Sequence, residues 1–433
     1  MSDDSVVKMT EKLSELAVTE PKESDEEEMS SIKELLSTLT QKSFAFWDSQ
    51  PVASVEEATS VQNIADSAPI ETKTVAEVKK QPLALLAGFS FVTLDLTNPD
   101  TTDMQDVYDL LYNHYVEDDD NMFRFDYSKQ FLSWALSCHG FIQDWHIGVR
   151  ADKSGKLCAM ITAVPVRVRV HDKWMEMAEV NFLCIHKKLR SHRLAPVLIR
   201  EITRRVNLTD RWQALYTAGV VLPTPVASCL YWHRSLNIKK LVDVGFTRLA
   251  PKLTMKRAIK FYSMPKESQV PGVRPMEPRD VKAVTTLLTT YLTKFSLVHE
   301  FTEDDVRHWM LPREGVLSSF VITDPEDSSV VTDFFSYYSL PSSIIGNTRY
   351  STLNVAYMFY YVPNVYSVKQ ILNEALIKAA AEGFDVFNAL ELLDNGPVLK
   401  ELQFGEGDGK LQFYVYNYKT KPMPSGQVGV VML

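Results

Sequence analysis

EVNFLCIHKKLRSHRLAPVLIREITRRV, residues 179–206, runs from an apolar strand through a basic turn straight into an amphipathic helix. The strand over 180–185 delivers the chain to a turn whose free amides, with the opening amides of the next helix, point at an anion. Lys187, Lys188, Arg190 and Arg193 supply the countercharge. Pro196 falls near the first helical turn, where its missing N–H costs nothing, and Leu198, Ile199, Ile202 and Val206 recur at helical spacing on one face. The helix is therefore expected to be anchored to a core, and the turn to hold a pyrophosphate.

The 433 residues around this stretch are 45% hydrophobic and 11% aromatic, enough for one large core or two moderate ones. No apolar run reaches the roughly 18–20 residues of a membrane span, and the start MSDDSVVKMT lacks a basic segment followed by an apolar one. A soluble, cytosolic protein is the expectation. Cys138, Cys158, Cys184 and Cys229 show neither metal-ligand spacing nor a dense framework, so reduced thiols and no metal site are expected. A formal net charge of −9 disfavours nucleic acid as a ligand and favours basic partners, although the basic turn reverses the sign locally.

Residues 1–41 contain PKESDEEEMSS and few aromatics, the composition of a disordered acidic arm. Within it SIKELLSTL is at most a short helix, marginal in isolation. Phe44, Phe46 and Trp47 then emerge from polar sequence and must pack on something, either as a strap across the core or against a ligand. From Pro82 strands and helices alternate in a mixed α/β manner: GFSFVTLDL reads as a strand and DMQDVYDLLYNHY as a helix. Near Val273 the pattern restarts with VRPMEPRD and VKAVTTLLTTYL. The spacing from Asp103 to Leu110 and Leu111 equals that from Asp280 to Leu287 and Leu288, a hint of internal duplication. The proline-rich MPKESQVPGVRP from Met264 offers the seam.

After Lys421 the chain runs PMPSGQVGVVML without a charged side chain, so this tail is expected to be buried although chain ends usually fray. The carboxylate of Leu433 then either just reaches solvent or is hydrogen-bonded and used. Four acids over 117–120 are by pattern a solvated turn, but Met122, Phe123, Arg124 and Phe125 follow at once, which suits the rim of a groove for a basic peptide. FGEGDGK lacks the spacing of a phosphate loop and reads as a turn before the alternating strand LQFYVYNY. There is no Gly-x-Ser-x-Gly elbow for an acyl-enzyme, and Cys184 reads as a buried strand cysteine.

The basic turn fits loosely the acyl-CoA loop of the acetyltransferase-like superfamily, Arg/Gln-x-x-Gly-x-Gly/Ala: Arg190 and Ala195 match, while Arg193 stands where glycine is usual. With it occur KSFAFWDSQPV at Lys42, NHYVEDDDNMFRFDYS at Asn113, LYTAGVVLPTPV at Leu215, YWHRSLN at Tyr231 and GFDVFNALELLDN at Gly383. In this order, and over nearly everything from residue 42 to 433, these blocks resemble the N-myristoyltransferase (glycylpeptide N-tetradecanoyltransferase) family.

The resemblance implies a mixed α/β fold of two acetyltransferase-like (GNAT-type) halves related by pseudo-two-fold symmetry. The arm would cover 1–41, an acyl-CoA-binding half 42–270, and a half forming most of the peptide groove 271–433. It implies direct transfer of myristate from myristoyl-CoA, a co-substrate and not a resident cofactor, to the amine of an N-terminal glycine. On that reading the main-chain carboxylate of Leu433 is the general base, the backbone amides of Phe182 and Leu183 form the oxyanion hole, and Asn181 and Thr217 hold the amine. Ala45, Phe46 and Trp47 lie along the acyl-CoA with Phe182, Leu183, Cys184, Ile185, Arg190, Ser191, Arg193, Leu194, Ala195 and Pro196. Tyr115, Asp118, Asp120, Phe123, Arg124, Phe125, Tyr127, His233, Ser336 and Asp408 meet the peptide.

A thioester is already activated, so the protein must add a deprotonated amine, proximity and oxyanion stabilisation. A carboxylate of pKa about 3.5 is a weak base toward an α-amine of about 7.7 to 8.0, but that amine is already partly neutral near pH 7. Relatives often carry a lysine-rich block linked to ribosome association; none stands in residues 1–41, which leaves ribosome or membrane-surface association open. A monomer is the default. Two other classes remain open: an acyltransferase with another acyl chain or a lysine acceptor, and a non-catalytic acyl-CoA or lipopeptide-binding protein.

Overall fold

LCAMITAVPVRVRV and KWMEMAEVNFLCI, rich in β-branched and apolar residues, form the two longest adjacent strands of the molecule, β4 (Leu157–Val170) and β5 (Lys173–Ile185). Residues 157–164 of β4 are buried on both faces, whereas burial alternates toward its end, where Arg167 reaches solvent between Val166 and Val168. The computed structural model describes residues 44–61, 64–116 and 122–433, together with 29, 30, 32 and 34. Apart from those four, the arm expected over 1–41 lies outside the described residues, as do Asp118 and Asp120. Ile32 is helical and buried against Phe44, Val55 and Val221.

The first half runs β1 (Phe89–Thr93), α1 (Asp103–His114), β2 (Phe123–Phe125), α2 (Lys129–Leu136), β3 (His146–Ala151), β4 and β5. It continues through α3 (Leu194–Asn207), β6 (Gln213–Ala218) and β7 (Ala227–Ser235). Helices α4 (Ile238–Asp243) and α5 (Met255–Tyr262) lead to the second half. That half runs β8 (Val273–Pro275), α6 (Val281–Leu292), β9 (Leu297–His299), α7 (Glu303–Trp309), β10 (Leu317–Thr323), β11 (Val331–Ser339) and β12 (Ser342–Ile344). It closes with β13 (Val355–Val362), α8 (Val368–Ala381), β14 (Val386–Leu390), β15 (Gly405–Tyr416) and β16 (Val428–Gly429).

Strand pairing repeats between the halves. In the first, β1, β3, β4 and β5 pair antiparallel in that order and β5 then pairs β6 in parallel. In the second, β8, β10, β11 and β13 do the same and β13 pairs β14 in parallel. The last strands are exchanged: β15 pairs β6 of the first half, β7 pairs β14 of the second, and β15 and β7 pair with each other. One fourteen-stranded sheet therefore runs through both halves. The mixed α/β fold expected from the sequence is the fold of the chain.

Helices pack on this sheet for the reasons their sequences carry. Leu194, Leu198, Ile202 and Val206 of α3 are buried, and Glu201, also buried, is neutralised by Arg204 at 2.6 Å and Arg205 at 2.9 Å. α8, its counterpart, has the same length of 14 residues and opens on a capping box between Ser367 and Gln370. The largest core cluster spans both halves, from Leu94 to Met432, so the halves are joined by a shared interior as well as by exchanged strands.

Candidate active site

The parallel pairing of β5 with β6 covers only residues 177–179 against 213–215. Both strands go on, to Ile185 and Ala218, but no longer against each other. β6 stays fixed by β15, with Thr217 opposite Phe413, while β5 stays on β4. The sheet thus opens beyond Glu179 and Leu215. Asn181, Phe182 and Leu183 stand on one side of the opening and Thr217 on the other.

At that place β5 carries a bulge. Thr162 faces Asn181 and Met160 faces Cys184, so Ile161 alone opposes Phe182 and Leu183. Phe182 takes a left-handed backbone, φ 51°, a conformation uncommon for a bulky side chain and held only where packing over-determines it. The packing is present: the Phe182 ring is buried, 5.1 Å edge-on from Tyr127 and 6.1 Å from Tyr115. Thr162 Oγ1 donates to the Asn181 carbonyl at 3.0 Å and lies 3.2 Å from its Oδ1, bracing the bulge from β4. A bulge of this kind re-aims main-chain amides out of a ladder. Cys184, just past it, is buried with Sγ 3.7 Å from the Leu110 carbonyl, and burial pushes its thiol up to about 12. Such burial disfavours the thiolate that a nucleophilic cysteine needs.

The basic turn follows as a 3₁₀ segment, Lys187–His192, in which His186 Nδ1 accepts from the Lys188 amide at 3.2 Å. Arg193, standing where glycine is usual, adopts the left-handed conformation that glycine would supply, φ 55°, and starts α3 without a side-chain cap. Lys187, Lys188, Arg190, Ser191 and Arg193 are exposed, Leu194 is buried, and Ile185, Ala195 and Pro196 are half-buried. Arg190 is not idle countercharge. Its Nε donates to the Ile185 carbonyl at 3.3 Å and its Nη2 to the His114 carbonyl at the C-terminus of α1, where a cation suits the helix dipole.

Phe46 and Trp47 pack on the outer side of the same opening. Trp47 stacks on Tyr216, neighbour of Thr217, at 5.8 Å, Tyr216 stacks on Tyr414, and Arg200 of α3 sits over Phe46 at 5.4 Å. Ala45 is exposed beside them. Arg200, Thr203, Trp212 and Tyr416 line a polar cleft of about 200 Å³ beneath Ser49 and Gln50.

The C-terminal tail is buried, as its lack of charge predicts: Val430 is 0% and Met432 4% exposed, and Leu433 is half-buried against the core. β16 pairs β9 in parallel, and the Val431 amide donates to the Tyr360 hydroxyl at 3.0 Å. Val431 also lines a small cavity with Tyr231, Tyr338, Tyr357, Asn388 and Leu390.

Of the residues expected at a peptide groove, His233 touches the lining of that cavity at Asn388, and most of the aromatic ones contact one another. Phe125 and Tyr127 are in edge contact, and Tyr115 lies against Tyr127. Phe123 contacts Phe246, which in turn contacts His233. Arg124 sits opposite Ser343 in the short pairing of β2 with β12. His233 Nδ1 is 2.7 Å from Asn388 Oδ1; burial keeps its ring below the usual imidazole range, while the Asn388 contact and exposed Asp408 pull the other way. Ser336 stands apart from this group. It is fully buried, its hydroxyl donates to the Tyr360 carbonyl at 2.9 Å and accepts from the Tyr360 amide at 3.2 Å, and it fills the register shift between β11 and β13. Sequence reasoning missed Glu179, His299 and Tyr360, which gather near the tail. Only the buried acid in a strand signalled any of them.

Among known proteins, the chain matches two family models, the N-terminal domain of myristoyl-CoA:protein N-myristoyltransferase over residues 69–229 and its C-terminal domain over 243–431. It is 52% identical over 398 residues to glycylpeptide N-tetradecanoyltransferase 1 of Arabidopsis thaliana, covering 90% of both chains. It is 48% identical to the glycylpeptide N-tetradecanoyltransferase of Dictyostelium discoideum, covering 90% of this chain and 93% of that one. Among solved structures, Saccharomyces cerevisiae N-myristoyltransferase with bound myristoyl-CoA superposes with a TM-score of 0.85 at 39% identity, over 90% of this chain and 100% of that one. Two family models spanning most of the chain, and relatives matched along nearly their whole length, place this chain in the myristoyl-CoA:protein N-myristoyltransferase family.

Proposed function

We propose that the chain transfers myristate from myristoyl-CoA to the amine of an N-terminal glycine by direct attack on the thioester. Family membership supports the reaction, and one observation carries its location: the opening between β5 and β6 beyond Glu179 and Leu215, with a left-handed bulge at Phe182 on its edge. The thioester carbonyl sits at the bulge, where the amides of Phe182 and Leu183 receive the oxyanion; a donor of this kind contributes on the order of 2.7 to 4 kcal/mol to the transition state. The pyrophosphate lies on the turn made by Arg190, Ser191, Arg193, Leu194, Ala195 and Pro196. The thiol-bearing arm follows Cys184 and Ile185 inward, past Ala45, Phe46 and Trp47.

The glycine amine enters from the other side, held by Asn181 and Thr217. The main-chain carboxylate of Leu433 takes its proton, in a setting drained of water by the apolar tail, where a modest shift of either group suffices. No covalent acyl-enzyme forms, a reading that the burial of the Cys184 thiol supports. Tyr115, Phe123, Arg124, Phe125, Tyr127 and His233 line the peptide's path. Asp118, Asp120 and Asp408 favour basic residues along it. Ser336 acts there only indirectly, through the β13 backbone that it braces. Residues 42–270 hold the donor and 271–433 most of the acceptor site, and the chain works as a monomer in the cytosol. Among the described residues no helix is long and apolar enough to cross a membrane.

The test is release of CoA from myristoyl-CoA with a Gly-Asn-x-x-Ser peptide, beside the same peptide starting in alanine and beside palmitoyl-CoA and acetyl-CoA. Turnover confined to glycine and myristoyl is expected. Turnover with acetyl-CoA or on a lysine side chain would assign another acyltransferase. Tight myristoyl-CoA binding without turnover would make the chain a binding protein.

A further inference from the structure

Glu179 of β5, His299 of β9, Tyr360 of β13 and Val431 of the tail lie far apart in sequence and meet in the interior. The Val431 amide donates to Tyr360 Oη at 3.0 Å, Tyr360 Oη is 3.4 Å from His299 Nδ1, and His299 Nε2 is 3.0 Å from Glu179 Oε2. The last contact is close without the alignment of a linear hydrogen bond. The side chains of His299 and Glu179 are 11% and 8% exposed, and Tyr360 is buried.

With Val431 N–H donating into the phenol oxygen, the phenol proton is available to His299 Nδ1 in the tautomer that carries the ring proton on Nε2, beside the Glu179 carboxylate. Burial pushes the Tyr360 hydroxyl well above the ordinary phenol range, so it remains a donor. Beyond Gly429, this is the one directional contact of the tail among the described residues; the rest is apolar packing, which resists sliding weakly. β9 takes part twice, since it bears His299 and also pairs with β16. At the other end, Glu179 stands two residues before Asn181, on the same face of β5.

We propose that Glu179, His299 and Tyr360 are positioning residues, a relay that holds Val431 and thereby sets the Leu433 carboxylate in register with the bulge at Phe182. The proposal rests on the reading of Leu433 as the base. A displacement of about 1 Å at a reacting group costs on the order of a hundredfold, which is why a two-residue strand alone is a poor anchor for a base.

Tyr360→Phe keeps the ring and removes only the hydroxyl. The expected result is a fall in kcat of about tenfold, with KM for the peptide and the affinity for myristoyl-CoA unchanged and faster amide exchange at Val431. His299→Gln, which keeps a donor and an acceptor, should retain more turnover than His299→Leu of equal thermal stability. Both substitutions are then repeated in a chain extended past Leu433. If the extension lowers kcat about a hundredfold or more, with residual turnover still measurable, and Tyr360→Phe lowers it no further there, the relay acts through the tail. If the extension lowers kcat but Tyr360→Phe does not, or if the two losses multiply, the relay falls and the base stands. If the extension leaves kcat intact, the base reading falls; exchange at Val431 then decides alone whether the relay holds the tail, and an unchanged rate overturns it.

Discussion

The two halves carry the same device in two conditions. Each has an antiparallel run of strands, a parallel pair that holds for three residues, and a bulge just beyond it: Ile161 opposite Phe182 and Leu183 in the first, Ser336 opposite Phe359 and Tyr360 in the second. In the first half the bulge is left-handed at Phe182, and the strands part around Asn181 and Thr217. In the second, among the described residues neither Phe359 nor Tyr360 has a positive φ, the Ser336 hydroxyl stitches the bulge to β11, and the chain's own tail reaches the opening, where Val431 lines a small cavity with Tyr357, Asn388 and Leu390. On our reading the first opening receives the ligand; the second holds the chain's own tail. If the proposed base and oxyanion hole hold, the repeated fold divides the reaction, donor site in one half and base in the other, by changing what occupies the gap.

The comparison breaks most sharply at the tail. Extending the chain past Leu433 should lower kcat by about a hundredfold to ten-thousandfold, the range for loss of a general base, while myristoyl-CoA affinity measured by calorimetry stays unchanged. Equal rates would return the second opening to a purely structural plug.

Ser336→Ala probes the stitch that distinguishes the second bulge. It strips partners from buried polar groups of Tyr360 and should cost about 1 to 3 kcal/mol in denaturant unfolding, with peptide KM little changed. A large KM effect at undiminished stability would make Ser336 a peptide contact after all. Replacing Asp118 and Asp120 with asparagine should raise KM several-fold for lysine-containing peptides and less for neutral ones; equal responses would reduce the acidic loop to scaffold.

The smallest effect concerns the first half alone. Arg193→Gly removes a side chain from a left-handed position and should raise stability by about 1 kcal/mol while weakening myristoyl-CoA binding. Weaker binding without the gain would mean that the Arg193 side chain is held by contacts that offset its strain.

How much was legible follows from the range of each interaction. The strand, turn and helix of 179–206 were readable because period, charge and proline placement are local properties. The burial of the tail was readable from composition, since twelve residues without charge gain more from a core than from water. Arg193 in place of glycine was visible as an oddity, but that it adopts the glycine conformation was not, because backbone strain is decided by what packs around it. Ser336 shows the limit on the other side: a serine in FFSYYSLP carries no sign of facing the Tyr360 backbone and not a groove, since a one-residue register shift reverses the faces of a strand.

The sequence by itself determined the strand, turn and helix of 179–206 and the burial of the tail, because propensity, periodicity and composition act locally, and its ordered blocks carried the resemblance to the family. Tertiary structure alone decided the exchange of β7 and β15 between halves, the opening beyond Glu179 and Leu215, and the meeting of Glu179, His299 and Tyr360 with the tail. Those depend on contacts between residues from about 36 to about 200 positions apart, whose cost in chain entropy only a completed core repays.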